Sequence, residues 1–162
     1  GLYYSEDGKN WTQSNITSED FRGGATYANG LWVAASYNDG RGLYYSEDGK
    51  NWVQSNITSG SFYGGAAYGN NLWVAAASSG NGLYYSEDGK NWTQSNITSG
   101  DFYGATYANG LWVAAGKGLY YSEDGKNWTK SNITSRSFNG ATYANGLWVA
   151  AGDYNGGLYY SE

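Results

Sequence analysis

Short apolar and aromatic runs alternate with polar turns along the whole chain. Within residues 82–117, this pattern predicts four β-strands, at residues 83–86, 92–97, 102–107 and 111–115. None of these runs spaces its apolar residues every 3.6 positions, as an amphipathic helix would. The pattern therefore predicts an all-β chain of short antiparallel strands.

Two kinds of turn separate these strands. Asp88 and Gly89 stand between the first and the second, and Asn109 and Gly110 stand between the third and the fourth. Asp, Asn and Gly tolerate the positive φ angles of two-residue hairpins. We therefore expect a tight hairpin at both places.

The whole pattern repeats. The string Gly-Leu-Tyr-Tyr-Ser-Glu recurs with periods of 41, 40, 36 and 39 residues, beginning at Gly1, Gly42, Gly82, Gly118 and Gly157. These starts define four units and a partial fifth, at residues 1–41, 42–81, 82–117, 118–156 and 157–162. Four antiparallel strands in about 40 residues are typical of a propeller blade. We expect one all-β domain, a β-propeller of four-stranded antiparallel blades with four repeats per chain; a β-solenoid is the competing architecture.

The composition limits the chemistry of the chain. It contains no His, Cys, Met or Pro, and its net charge is −5. Thiol nucleophiles, imidazole bases and the usual zinc ligands are therefore missing. A negative surface also disfavours nucleic acid and anionic membranes as partners. We expect no metal and no cofactor, and the sequence contains no recognisable secretory leader or membrane-spanning segment.

The turn after each Leu-Tyr-Tyr strand has a further motif. The run from Ser46 to Trp52, Ser-Glu-Asp-Gly-Lys-Asn-Trp, resembles the Asp-box of sialidase-type and related bacterial propellers, although its spacing from Ser to Trp is one residue shorter. The resemblance implies a structural role, in which Ser and Asp bind the backbone of the turn. A calcium or acid/base site at Glu47 and Asp48 is the alternative, but it lacks a third ligand. The residues of the four boxes are Ser5, Asp7, Trp11, Ser46, Asp48, Trp52, Ser86, Asp88, Trp92, Ser122, Asp124 and Trp128.

The same resemblance raises a glycosidase as a weaker hypothesis. A sialidase needs three clustered arginines, a Tyr nucleophile paired with Glu, and an acid. The three arginines of this chain, Arg22, Arg41 and Arg136, occupy different positions in their repeats. An array of near-identical units also offers no place for a unique catalytic constellation. We therefore expect that the chain is not an enzyme.

The repeats differ from one another in two places. One is the stretch after Asn-Ile-Thr-Ser, and the other is the loop before each Gly-Leu-Tyr-Tyr. In an antiparallel meander, both project from the same end of the sheets, while the invariant hairpins lie at the other end. Loops on a rigid scaffold commonly carry binding function. The candidate binding residues of this variable face are Arg22, Tyr37, Asp39, Arg41, Tyr63, Tyr103, Asn139 and Tyr154.

These observations support two hypotheses about function. The first is a non-enzymatic propeller scaffold that folds and self-assembles from near-identical blades, produced by recent amplification or by engineering. The second is a lectin-like propeller that binds a glycan through the Tyr, Asn and Asp side chains of its variable face, with weak sites multiplied by avidity.

The two ends of the chain bear on assembly. Residues 2–5 and 158–161 have the same sequence, so the third strand of a blade is present at both ends. One of the two copies is redundant in a closed ring of four blades. Strand exchange between the termini of two chains would instead give a homodimeric ring of eight blades.

Overall fold

The protein is described by a computed structural model that covers residues 1–37, 41–133, 136–153 and 157–162. Within these ranges the regular elements are β-strands, and all of their pairings are antiparallel. The all-β prediction is therefore confirmed. No helix that could span a membrane occurs in the described ranges.

The strands form five sheets in chain order. Sheet I pairs β1 (Tyr3–Tyr4) with β2 (Thr12–Gln13). Sheet II has the order β3 (Ala25–Ala28), β4 (Leu31–Ala35), β5 (Leu43–Ser46) and β6 (Val53–Gln54). Sheet III has the order β7 (Ala66–Gly69), β8 (Leu72–Ala76), β9 (Leu83–Ser86) and β10 (Thr93–Gln94). Sheet IV has the order β11 (Phe102–Ala108), β12 (Leu111–Gly116), β13 (Gly118–Ser122) and β14 (Thr129–Lys130). Sheet V has the order β15 (Phe138–Ala144), β16 (Leu147–Gly152) and β17 (Leu158–Ser161).

The four-stranded antiparallel sheets agree with the predicted four-stranded units, but the structure has five sheets where four blades were expected. Three sheets are complete, whereas sheet I holds only the outer two strands of the repeat and sheet V only the inner three. Each complete sheet takes its inner strands from one sequence repeat and its outer strands from the next. The chain thus begins and ends in the third-strand position, and the described residues do not close into a ring of four blades.

The two predicted hairpins behave differently. Ala108 pairs with Leu111, so Asn109 and Gly110 form a two-residue turn, with φ angles of 49° and 79°. The prediction of a tight hairpin at Asp88 and Gly89 is wrong. The last residue pair of the ladder joins Tyr85 to Thr93 and leaves residues 86–92 as a longer loop. The predicted strand 92–97 is shorter in the structure, where it covers Thr93–Gln94.

The core lies between successive sheets. At the junction of sheets II and III, Leu43 and Val33 of one sheet pack against Phe62, Trp73 and Trp92 of the next. Full burial of one such side chain contributes about 1.5–3 kcal/mol. The alanines of the second strand are also almost fully buried, and their small side chains let the neighbouring sheet approach closely. The chain is therefore stabilised mainly between sheets rather than within them.

Candidate functional site: the tyrosine cleft

The loop from Ser46 to Trp52 is held by its own side chains. The Asp48 carboxylate accepts hydrogen bonds from the backbone N–H groups of Lys50 and Asn51 at 2.8 and 2.7 Å. It also accepts from the Ser46 hydroxyl at 3.0 Å and from the Asn51 amide at 2.8 Å. These bonds, led by that from the Asn51 N–H, hold the pKa of Asp48 well below its usual range.

The same bonds recur in the other three loops, at Asp7, Asp88 and Asp124. An aspartate whose oxygens are already occupied by the turn has little capacity left for a cation or for proton transfer. In addition, the described ranges contain no group of three or more His, Cys, Asp or Glu side chains that could hold a metal ion.

The two variable stretches of the repeats meet at one cavity on the other end of the sheets. We call this cavity the tyrosine cleft; its volume is about 410 Å³. It is lined by Tyr37, Tyr63, Ser78, Ser79, Asp101, Tyr103, Asn139 and Asp153. Four neighbouring sheets, from II to V, therefore contribute side chains to a single concave surface.

Backbone hydrogen bonds within and between the sheets fix the walls of the cleft. The Tyr37 N–H donates to the carbonyl oxygen of Asp20 at 2.7 Å, and the Phe62 N–H donates to that of Ser36 at 2.9 Å. The Ser78 N–H donates to the carbonyl oxygen of Ser61 at 2.8 Å. Because Phe62 is fully buried beside Tyr63, the start of sheet III is anchored on both sides.

Three tyrosine rings form one side of the cleft. The rings of Tyr37 and Tyr63 meet edge to face, with centroids 5.5 Å apart, and those of Tyr63 and Tyr103 do so at 6.3 Å. Such contacts orient aromatic rings without burying them completely. The Arg22 guanidinium lies over the Tyr37 ring, 4.3 Å from its centroid, and pairs with Asp20 at 3.3 Å. Tyr63 remains half exposed and is thus accessible to a ligand.

The polar side of the cleft carries a fixed carboxylate. Asp101 contacts the Lys117 ammonium at 2.6 Å and accepts from the Gly80 N–H at 2.7 Å. The Lys117 bond and then the Gly80 bond lower the pKa of Asp101, while the Asp101 bond raises the pKa of Lys117. Asp101 is therefore ionised at neutral pH and acts as a hydrogen-bond acceptor.

The structure brings together some of the candidate binding residues and not others. Tyr37, Tyr63, Tyr103 and Asn139 line the cleft, and Arg22 lies behind Tyr37. Arg41 is absent from the lining and instead pairs with Glu19 at 2.6 Å. The remaining two candidates lie outside the described residues; they are Asp39 and Tyr154.

Four lining residues are missing from the sequence-based set. Ser78, Ser79, Asp101 and Asp153 all fall within the variable stretches, so their position was the signal that could have identified them. Comparison of the repeats identifies the variable stretches. It does not predict which side chains point into the cleft, because that depends on how the sheets stack.

No protein-family model matches the sequence, and no curated protein matches it either. Solved structures do resemble the fold. The computationally designed Ika4 protein aligns over 92% of this chain and 94% of its own, with a TM-score of 0.66 and 8% identity. An ancestral GH74 enzyme aligns over 90% of this chain but only 24% of its own, with a TM-score of 0.70 and 15% identity. The computationally designed Ika8 protein aligns over 78% of this chain and 41% of its own, with a TM-score of 0.56 and 9% identity. At these identities the three structures indicate a shared fold. They do not indicate an activity or a ligand for this chain.

Proposed function

We propose that the chain is a non-enzymatic, propeller-type repeat scaffold whose tyrosine cleft binds carbohydrate. The observation that carries this proposal is the coincidence of the cleft with the two variable stretches of an otherwise near-identical array. The Asn109–Gly110 hairpin recurs in three of the four repeats, whereas most residues that line the cleft differ between repeats, Tyr63 and Tyr103 being the shared pair.

The chemistry of the cleft suits a sugar. The exposed faces of Tyr63 and Tyr103 offer apolar surfaces for the C–H groups of a pyranose ring. Asp101, Asn139 and the Ser79 hydroxyl supply acceptors and donors for sugar hydroxyls. A concave surface with aromatic walls and a few fixed polar groups is the usual form of a small-ligand site. The cleft is open, so we expect weak binding that multivalency would strengthen.

The propeller part of the proposal is supported by the way in which the sheets stack. Sheets II, III and IV have the same strand order, and successive junctions bury equivalent side chains. Repetition of one junction geometry turns the array through a constant angle, which is the condition for a ring.

The non-enzymatic part of the proposal is supported by the lowered pKa values of the carboxyl groups. Glycoside hydrolysis needs a carboxylic acid whose pKa is raised, so that it can protonate the leaving oxygen. Lys117 lowers the pKa of Asp101, and the loop aspartates are lowered by their turns. A glycosidase, the weaker hypothesis, would therefore need an acid other than these groups.

A glycan array with labelled protein tests carbohydrate binding, followed by titration of the best ligand against variants. Tyr63→Ala should weaken binding roughly 10-fold or more, because it removes the central ring of the cleft. Tyr27→Ala is the matched control: Tyr27 is an equally exposed tyrosine at the hairpin end of sheet II, and its removal should leave binding unchanged. An array without any ligand, or equal losses in both variants, would contradict the proposal.

A further inference from the structure

Each complete junction between sheets contains the same Asn–Trp pair. The Asn56 side-chain oxygen accepts from the Trp92 backbone N–H at 2.7 Å, and its amide donates to the Trp92 carbonyl oxygen at 2.9 Å. Asn15 holds Trp52 in this way, and Asn96 holds Trp128. The asparagine always belongs to one sheet and the tryptophan to the next.

Each complete junction also contains the same pair of charges. The Lys90 ammonium lies 2.7 Å from a Glu47 carboxylate oxygen and 5.4 Å from the centroid of the Tyr45 ring. The other two sets are Lys50 with Glu6 and Tyr4, and Lys126 with Glu87 and Tyr85. Here too, the lysine comes from one sheet and its partners come from the sheet before it.

The N-terminal sheet carries one half of such a junction. Trp11 is 62% exposed, whereas Trp52, at the same position in the next repeat, is 5% exposed. Within the described ranges Lys9 has no ion pair. A Cβ added at Gly8 would meet nothing within 4 Å, whereas one at Gly89 would meet Leu31 at 2.6 Å. In the described ranges, sheet I therefore presents a mostly exposed tryptophan, a lysine without an ion pair and a loop that is open at Gly8.

The C-terminal part of the chain carries the other half. Asn132 and Glu123 occupy the positions of Asn96 and Glu87, yet in the described part of the chain neither side chain has a hydrogen-bond or ion-pair partner. A cavity of about 290 Å³ lies between sheets IV and V. We call it the socket; its lining includes Leu119, Ile133, Trp148 and Tyr159.

The preceding junction shows what belongs in the socket. There, the equivalent residues belong to the same hydrophobic cluster as Trp128; they are Leu83, Ile97, Trp112 and Tyr120. Among the described residues sheet V has three strands, and none of the tryptophans there takes the position that Trp128 takes at the preceding junction. The socket is thus the space of one missing tryptophan.

We propose that the socket binds Trp11 of a second copy of this chain. Asn132 then holds the backbone of that Trp11, and Glu123 pairs with its Lys9. In a dimer both sockets are filled, because each copy supplies one Trp11 and one socket. The inference rests on the repeat-scaffold part of the proposed function and not on the ligand of the tyrosine cleft.

The ends of the chain permit this exchange without loss of strand pairing. Residues 1–6 and 157–162 have the same sequence, so β1 of the second copy can pair with β16 in the register that β17 now uses. On β17, Leu158 and Tyr160 are 76% and 75% exposed, and in the exchanged register Tyr3 takes the place of Tyr159 beside Phe138. In the single chain, sheets I and V are separate sheets and Trp11 stays exposed, which favours a second copy over closure within one chain.

Sedimentation equilibrium of the full chain tests the proposal. The single chain has a mass of 17.5 kDa, and we expect the particle to have about twice that mass. Trp11→Ala and Asn132→Ala should each raise the dissociation constant roughly 30-fold or more. Both side chains are exposed in the single chain, so neither variant should change its circular dichroism. Val53→Ala, at an exposed apolar residue away from both ends, is the control and should leave the mass unchanged.

Mixing the two variants separates exchange between chains from closure within one chain. Trp11 of the Asn132→Ala chain can enter the intact socket of the Trp11→Ala chain, so the mixture should form dimers at concentrations at which each variant alone is monomeric. A mass of 17.5 kDa for the unaltered chain at every concentration, or no gain on mixing, would overturn the proposal. Glycan binding is measured separately. A monomeric chain would not contradict the proposal that the cleft binds carbohydrate, and absence of glycan binding would not contradict the dimer.

Discussion

The Asn56 side chain binds both backbone groups of Trp92, accepting from its N–H at 2.7 Å and donating to its carbonyl oxygen at 2.9 Å. One asparagine thereby replaces the strand pairing that sheets III and II cannot make with each other. This contact explains why β10 is ordered although it has only two residues, because Asn56 of the neighbouring sheet fixes the end of the loop that precedes it.

Asn56→Ala should lower the free energy of unfolding by about 2–3 kcal/mol, because it removes two hydrogen bonds and leaves partly buried backbone groups without partners. Urea unfolding followed by tryptophan fluorescence measures this change. Both variants are measured in a Trp11→Ala background, which keeps the chain single; there Asn132→Ala removes the same residue type at the same repeat position without a bound tryptophan and should leave unfolding unchanged. Equal losses in the two variants would contradict the role given to the Asn–Trp pair.

The loop aspartates make stability depend on pH. The folded pKa of Asp48 lies below the ordinary aspartate value of 3.8, so its contribution is fully present above that pH and is lost as the pH falls through the folded pKa. Unfolding midpoints in urea should therefore decline from about pH 5 to about pH 2. Asp48→Asn should make that decline shallower, since one of the titrating groups is gone. An unchanged slope would show that the turn does not stabilise the charged form.

The loop glycines differ in what surrounds them. Gly8 and Gly89 have nearly the same φ, +71° and +70°, but a Cβ at Gly89 would lie 2.6 Å from Leu31, whereas one at Gly8 would meet nothing. Gly8→Ala should cost about 1–2 kcal/mol from the left-handed backbone alone. Gly89→Ala should cost about 1–3 kcal/mol more, because its methyl group overpacks the junction. Thermal unfolding of both variants in a Trp11→Ala background isolates the single chain, and identical costs would contradict the packing argument.

Asp101 should contribute to ligand binding more than to stability. Asp101→Asn removes a surface ion pair with Lys117, which is expected to cost less than about 1 kcal/mol of stability. The same change removes a charged acceptor from the cleft and should weaken glycan binding. Isothermal calorimetry and thermal unfolding of the same sample separate the two effects. A large loss of stability with unchanged affinity would make Asp101 a structural residue only.

The sequence predicts those features that depend on neighbouring residues. Asn109 and Gly110 form the expected hairpin because both accept positive φ, and the alternating runs correctly indicate strands. The loop at Asp88 is mispredicted because the carboxylate gathers the backbone N–H groups of Lys90 and Asn91, which widens the turn beyond two residues.

Features that depend on the stacking of sheets could not be predicted in detail. Trp11 and Trp52 stand in nearly identical sequences, yet one is exposed and the other buried, because only the second has a sheet before it. The variable face could be located by comparing repeats, whereas the convergence of Tyr63 and Asp101 on one cleft depends on how sheets III and IV lie together.

We propose above that the tyrosine cleft is the ligand site of this scaffold. Backbone amide NMR shifts, recorded while the best array glycan is titrated into the protein, test it most directly. We expect saturable shifts at Tyr63, Tyr103 and Asn139, with none at the Asn109–Gly110 hairpin on the opposite end. Shifts confined to the hairpin end, or no shifts with any glycan, would contradict it.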